Sequence, residues 1–189
     1  MSAPRRLGPA LAAIPLAAMI FWFVQMAGKS PGPPSQAAQA ARSGAGLFPS
    51  ASAVGASHRS PTERFVGTAV YDYLDGGAEV YLHRGLQSIA VTRYDWSGDG
   101  SIPPVEIETV AMRFATPGGA TAQAASLVPG GATPVEGLSG AVATGSELVL
   151  VQGHWLLHLL AEDPSADVRD HLIRIAAAWS AMAGGRNGE

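Results

Sequence analysis

The chain has 189 residues, 12 Lys and Arg against 15 Asp and Glu, a net charge of -3 and no cysteine. That balance offers no excess of basic residues to neutralise a phosphate backbone, and those present are scattered, which argues against a nucleic-acid partner. Without cysteine there is no disulfide framework, thiolate nucleophile, Cys-based zinc site or lipidated cysteine anchor.

Behind Arg5 and Arg6, residues 7–28 are apolar and uncharged up to Lys29. A helix of about 20 such residues, rising about 1.5 Å each, crosses a hydrocarbon core of about 30 Å. The positive flank comes first, so the N-terminus stays in the cytoplasm and the remainder lies outside. A cleavable signal peptide is the alternative. It needs small residues just after the apolar run; Gln25-Met26-Ala27 fits poorly and Ala38-Gln39-Ala40 is far downstream, which favours an uncleaved anchor. Either reading places the following domain in the periplasm or outside the cell, tethered by residues 7–28 or secreted.

Residues 29–59 are mostly Ala, Gly, Ser and Pro, with Leu47, Phe48 and Val54 the few large apolar side chains. So little apolar surface predicts a flexible spacer. The folded domain is expected over 60–185, with a tail at 186–189. It opens on Ser60-Pro61-Thr62-Glu63, which has the letters of a helix start: a capping Ser, Pro at the first position and Glu at the third. Phe65, Ala69, Val70 and Tyr73 follow at helical spacing. Asp75-Gly76-Gly77 breaks that helix and Asp75 reads as the cap of a second one over 78–84, ended by Gly85.

Two strand-like runs come next, 86–96 and 105–114, rich in Val, Ile, Thr and Tyr and predicted to pair as a hairpin. Thr116-Pro117 caps a short Ala-rich helix to about Leu127. A weak strand is expected at 138–144, then strands at 147–152 and 155–162 joined at Gly153-His154. Asp163-Pro164-Ser165 starts a last helix, whose apolar face carries Val168, Leu172, Ile175, Ala176, Trp179 and Ala183 before Gly184-Gly185. Hairpins with helices grouped around them predict an α+β fold: an antiparallel sheet of about five strands covered by helices, after the N-terminal transmembrane or signal helix.

The run YDYLDGGAEVYLHRG at 71–85, with the strand after it, Val105-Glu106-Ile107 and Met112, resembles the DUF6599 family of uncharacterised bacterial proteins. The resemblance covers about residues 61–183. It implies an exported or membrane-associated α+β domain and carries no known activity.

Three groups of residues are candidates for chemistry. In the DGGAE turn, Gly76 and Gly77 permit close approach of the backbone to a partner, the amides of Gly77 and Ala78 face an incoming anion, and Glu79 and Tyr81 flank them. A catalytic version pairs Asp75 with Glu79 as acid and base beside His83. The second group, Asp95, Ser97, Asp99 and Glu106, follows the spacing of a calcium loop, although Pro103 and Pro104 stand where an exiting helix would begin and both flanks read as strands. The third, His154 and His158, is set about 13 Å apart by strand geometry, too far for one ion, so His154 reads as a turn residue. No G-x-S-x-G nucleophile motif occurs. The expected function is a non-catalytic binding module for a small ligand, glycan or protein, without a cofactor; the alternatives are a hydrolase-type enzyme at Asp75, Glu79 and His83, and a calcium-stabilised structural module.

Overall fold

A computed structural model of the chain describes residues 46–97, 104–162 and 166–184. The apolar run at 7–28, most of the expected spacer, Asp99, Asp163-Pro164-Ser165, Gly185 and the tail lie outside the described residues. Among the described residues no helix is long and apolar enough to cross a membrane.

An eight-stranded antiparallel sheet organises the α+β domain. Its strands are β1 (His58–Arg59), β2 (Glu63–Val66), β3 (Leu86–Trp96), β4 (Val105–Phe114), β5 (Thr133–Pro134), β6 (Ala141–Ala143), β7 (Glu147–Gln152) and β8 (Trp155–Ala161). Their order is β1-β3-β4-β8-β7-β6-β5, with β2 beside β1 on the free edge of β3. The central hairpin pairs from Leu86 with Phe114 to Trp96 with Val105. β-branched and aromatic side chains on both strands suit a pleated surface buried on both sides.

The helices are α1 (Ala51–Val54), α2 (Val70–Leu74), α3 (Ala78–His83), α4 (Pro117–Leu127) and α5 (Ala166–Gly184). One sheet face carries Ala90, Tyr94, Ile107, Ala111, Leu148, Leu150, Leu157 and Leu159, and α5 lies on it. Val168, Leu172, Ile175, Ala176, Trp179 and Ala183, the face read from the helical period, are all buried there. Burying a large aliphatic side chain is worth about 1.5–3 kcal/mol, so this seam holds much of the domain's stability. The other face, with Ile89, Val91, Val110, Met112, Phe114, Val149 and Leu156, is covered by α2, α3 and α4. Helix α4 begins at the expected cap, where Thr116 Oγ1 accepts from the Gly119 amide at 3.1 Å. It packs tightly because Gly119 has no side chain: a Cβ there would stand 2.1 Å from the Arg84 carbonyl oxygen.

Three expectations are corrected. The sheet has eight strands rather than about five, because β1, β2 and β5 are only two to four residues long and display no alternation to read. Ser60-Pro61-Thr62-Glu63 does not start a helix. The Ser60 hydroxyl accepts from the Arg93 amide at 2.9 Å, its own amide donates to the Arg93 carbonyl at 2.9 Å, and Glu63–Val66 pairs with β3 instead. Pairing with a distant strand satisfies these groups better than a local cap. Finally, residues 46–59 belong to the fold and are not spacer. Phe48 and Val54 are buried under α5, and the Tyr94 hydroxyl donates to the Pro49 carbonyl at 2.6 Å. Arg59 donates to the Phe48 and Pro49 carbonyls at 2.9 and 3.0 Å, and α1 is capped by Ser50, so a short run poor in apolar residues is held by polar clamps around two anchors.

Candidate functional site

The segment from Val66 to Gly85 forms a helical corner on the edge of the sheet. It leaves β2 through a left-handed Gly67 (φ 59°) and a 3-10 turn at Gly67–Ala69, runs through α2, turns again at Asp75–Gly77 and returns as α3. Val70 and Ala78 are buried against the sheet, with Tyr73, Leu74, Tyr81 and Leu82 packed beside them. Arg84 ties the end of the corner to α4, donating to Gln123 Oε1 and Ser126 Oγ, both at 2.7 Å.

The residues expected to do chemistry divide cleanly here. Asp75, Gly76, Gly77, Glu79 and His83 are exposed, Tyr81 is half-buried and Ala78 is buried. No side chain caps α3, so Asp75 does not have the capping role its position suggests. Instead Asp75 takes φ 41° and ψ -160°, a left-handed backbone that favours glycine, while neither neighbouring glycine is left-handed. A Cβ added to Gly76 or Gly77 would meet nothing within 4 Å. The side chains of Asp72, Asp75 and Glu79 make no hydrogen bond or ion pair among the described residues, and those of Asp75, Glu79 and His83 do not bond to one another.

Two large apolar side chains are exposed on the helices of this corner, Tyr71 (47% exposed) and Val80 (53%). The others exposed among the described residues are Val66 (51%), which its pairing with Ser88 turns to the opposite sheet face, and Val128 (44%) after α4. On α2 and α3, Tyr71 and Val80 point away from the positions that meet the sheet, so burial of the helices leaves them in solvent.

Below the corner lies a polar cluster that the sequence did not reveal. Tyr73 donates its hydroxyl to Glu108 Oε1 at 3.3 Å, and Arg93 holds Glu108 Oε2 at 3.1 Å and Glu106 Oε1 at 3.6 Å. Burial, then the Glu108 charge and hydrogen bond, keep the Tyr73 phenol well above its ordinary range, so it serves as a donor and not as a base. Desolvation, with the Asp95, Glu162 and Glu108 carboxylates, raises Glu106 while Arg93 opposes the shift. Tyr81 is also raised, chiefly by burial. The register explains why the cluster was invisible: Arg93 and Glu108 are cross-strand partners, a relation that exists only once β3 and β4 are paired.

Two of the expected calcium ligands, Asp95 and Glu106, are also cross-strand partners. Each already faces a basic group, Asp95 with His58 Nδ1 at 3.0 Å and Glu106 with Arg93, and Ser97 donates its amide to Ser57 Oγ at 2.9 Å. Among the described residues no group of three or more His, Asp or Glu side chains is arranged to hold a metal ion. His154 sits in the turn before β8 and donates Nδ1 to the Phe114 carbonyl at 3.2 Å. His158 is buried in β8 and bonds Glu147 through Nε2 at 2.5 Å, a diagonal pair across β7 and β8 that nothing local in the sequence announces.

No family model and no curated protein matches the chain. Among solved structures the chain is similar to the extracellular domain of PknH from Mycobacterium tuberculosis, at 11% identity and a TM-score of 0.44, over 82% of this chain and 100% of that one.

Proposed function

We propose that the chain is a non-catalytic binding module, held outside the cytoplasm by residues 7–28, which engages its partner through the helical corner at 66–83. One observation carries the reading: two of the four large apolar side chains exposed among the described residues, Tyr71 and Val80, lie on the two helices of this corner, on either side of the open Gly76-Gly77 backbone in the chain. Apolar side chains exposed together, rimmed by polar groups, mark contact surfaces more often than isolated ones do. The fold requires glycine at neither position 76 nor 77, since neither is left-handed and a side chain would meet open space. What the bare backbone adds is room for a partner to approach closely. The YDYLDGGAEVYLHRG run that carries the resemblance to DUF6599 is this corner.

An enzyme at Asp75, Glu79 and His83 has less support, because the three side chains are exposed and unconnected, and an acid-base pair gains its strength from desolvation and mutual bonding. The calcium reading has less support as well, with Asp95 and Glu106 each engaged by a basic neighbour.

A photoreactive side chain at Val80 of the full chain, in intact cells that produce it, tests the proposal against the same group at Val128. The expected result is an adduct from Val80 that Val128 does not give. No adduct at Val80, or the same adducts from both positions, would overturn it.

A further inference from the structure

We infer that the partner of the corner is a protein segment carrying Lys or Arg around apolar side chains. The inference rests on the reading of the corner as a contact surface and adds the charge of what covers it. The carboxylates of Asp72, Asp75 and Glu79 are exposed and unbonded, and along the chain they lie between Tyr71 on α2 and Val80 on α3. The basic groups nearby do not bond to them: Arg84 is turned to Gln123 and Ser126 on α4, Arg64 pairs with Ala90 and so faces the other side of the sheet, and the exposed His83 bonds to none of the three. The corner therefore presents two exposed apolar side chains with three unbonded carboxylates between them along the chain.

This pattern selects among partners. Nucleic acid and anionic lipid headgroups are repelled by three carboxylates, and a small anion at the Gly77 and Ala78 amides meets the same field. Burial of Tyr71 and Val80 needs an apolar counterpart, which a small cation lacks. A cationic segment with apolar side chains satisfies both requirements, with the charges setting orientation and rate of encounter and the apolar contacts holding the complex. The exposed Gly76-Gly77 backbone lets such a segment lie close between the two helices.

The test titrates the full chain with three amphipathic peptides of one length, built of Lys and Leu, Glu and Leu, or Ser and Leu, and with anionic lipid vesicles. The Lys/Leu peptide is expected to bind, more weakly at high salt, and to perturb residues 66–83. Asp72→Asn/Asp75→Asn/Glu79→Gln is expected to weaken it about tenfold, from three surface charge contacts of about 0.5 kcal/mol each. Tyr71→Ala/Val80→Ser is expected to weaken it by a similar factor without shifting the melting temperature. Equal binding of the Ser/Leu or Glu/Leu peptide at the corner overturns the cationic assignment and leaves the contact reading standing. Preferential binding of vesicles also overturns the assignment, in favour of a membrane. A Lys/Leu peptide that binds elsewhere, together with no adduct at Val80, overturns both.

Discussion

Helix α5 and the helical corner both cover the sheet, but they use their apolar residues differently. Along α5 every residue of the apolar face, from Val168 to Ala183, is buried, and the residues before β1 reinforce the same core with Phe48 and Val54. The corner buries Val70 and Ala78 and leaves Tyr71 and Val80 in solvent. One element is used up by the fold; the other has apolar surface left over. Stability is expected to be concentrated on the first and contact on the second.

The largest effect belongs to Phe48→Ala. If residues 46–59 are part of the core, the substitution costs about 3–5 kcal/mol in denaturant unfolding. A change below about 0.5 kcal/mol would return the segment to the status of a spacer.

Alkaline pH probes the same core through Tyr94, whose phenol is fully buried and donates to the Pro49 carbonyl. Burial pushes it up to about 12, with Arg59 opposing the shift. A folded value above the unfolded one near 10 means that this stability is complete below about pH 10 and is lost as the pH rises through 12. The loss amounts to about 2–3 kcal/mol. In Tyr94→Phe the stability curve flattens in that window, although the raised Tyr73 and Tyr81 preserve part of the slope. Identical curves for the two proteins would remove Tyr94 from the account.

How legible these features were depends on how local their causes are. The Thr116 cap, the limits of the β3–β4 hairpin and the buried face of α5 follow from neighbouring letters, and each was readable. Ser60 to Glu63 misled because the cap it mimics is satisfied by Arg93, thirty-three residues away. Phe48 and Val54 were readable as apolar but not as anchors, since the clamps that seat them come from Arg59 and Tyr94. The corner was legible as a helix-turn-helix, and DGGAE stood out as its turn. What the letters did not tell was that the left-handed residue is Asp75, or that Tyr71 and Val80 would face outward. Those facts depend on which side of each short helix meets the sheet. The Tyr73–Glu108–Arg93 and His158–Glu147 contacts required the strand register as well.

The smaller effects concern glycine. Gly119 is needed by the fold, because a Cβ there would collide with the Arg84 carbonyl oxygen at 2.1 Å. Gly119→Ala is expected to cost about 1–3 kcal/mol and to loosen α4 from the corner, read as a lower melting temperature. An unchanged melting temperature would mean that the backbone yields there at no cost.

Gly76→Ala/Gly77→Ala makes the opposite prediction and tests the central claim most directly. With open space around both positions and no left-handed φ, the fold accepts the two methyl groups, and the more restricted unfolded chain raises stability by about 0.4–1 kcal/mol per site. If the bare backbone serves a partner, the same variant binds the Lys/Leu peptide more weakly than the parent chain. The account predicts that combination, stability unchanged or higher with binding reduced, when unfolding free energy and affinity are measured on one preparation. Lower stability with undiminished binding would contradict it, and would make the corner a structural turn.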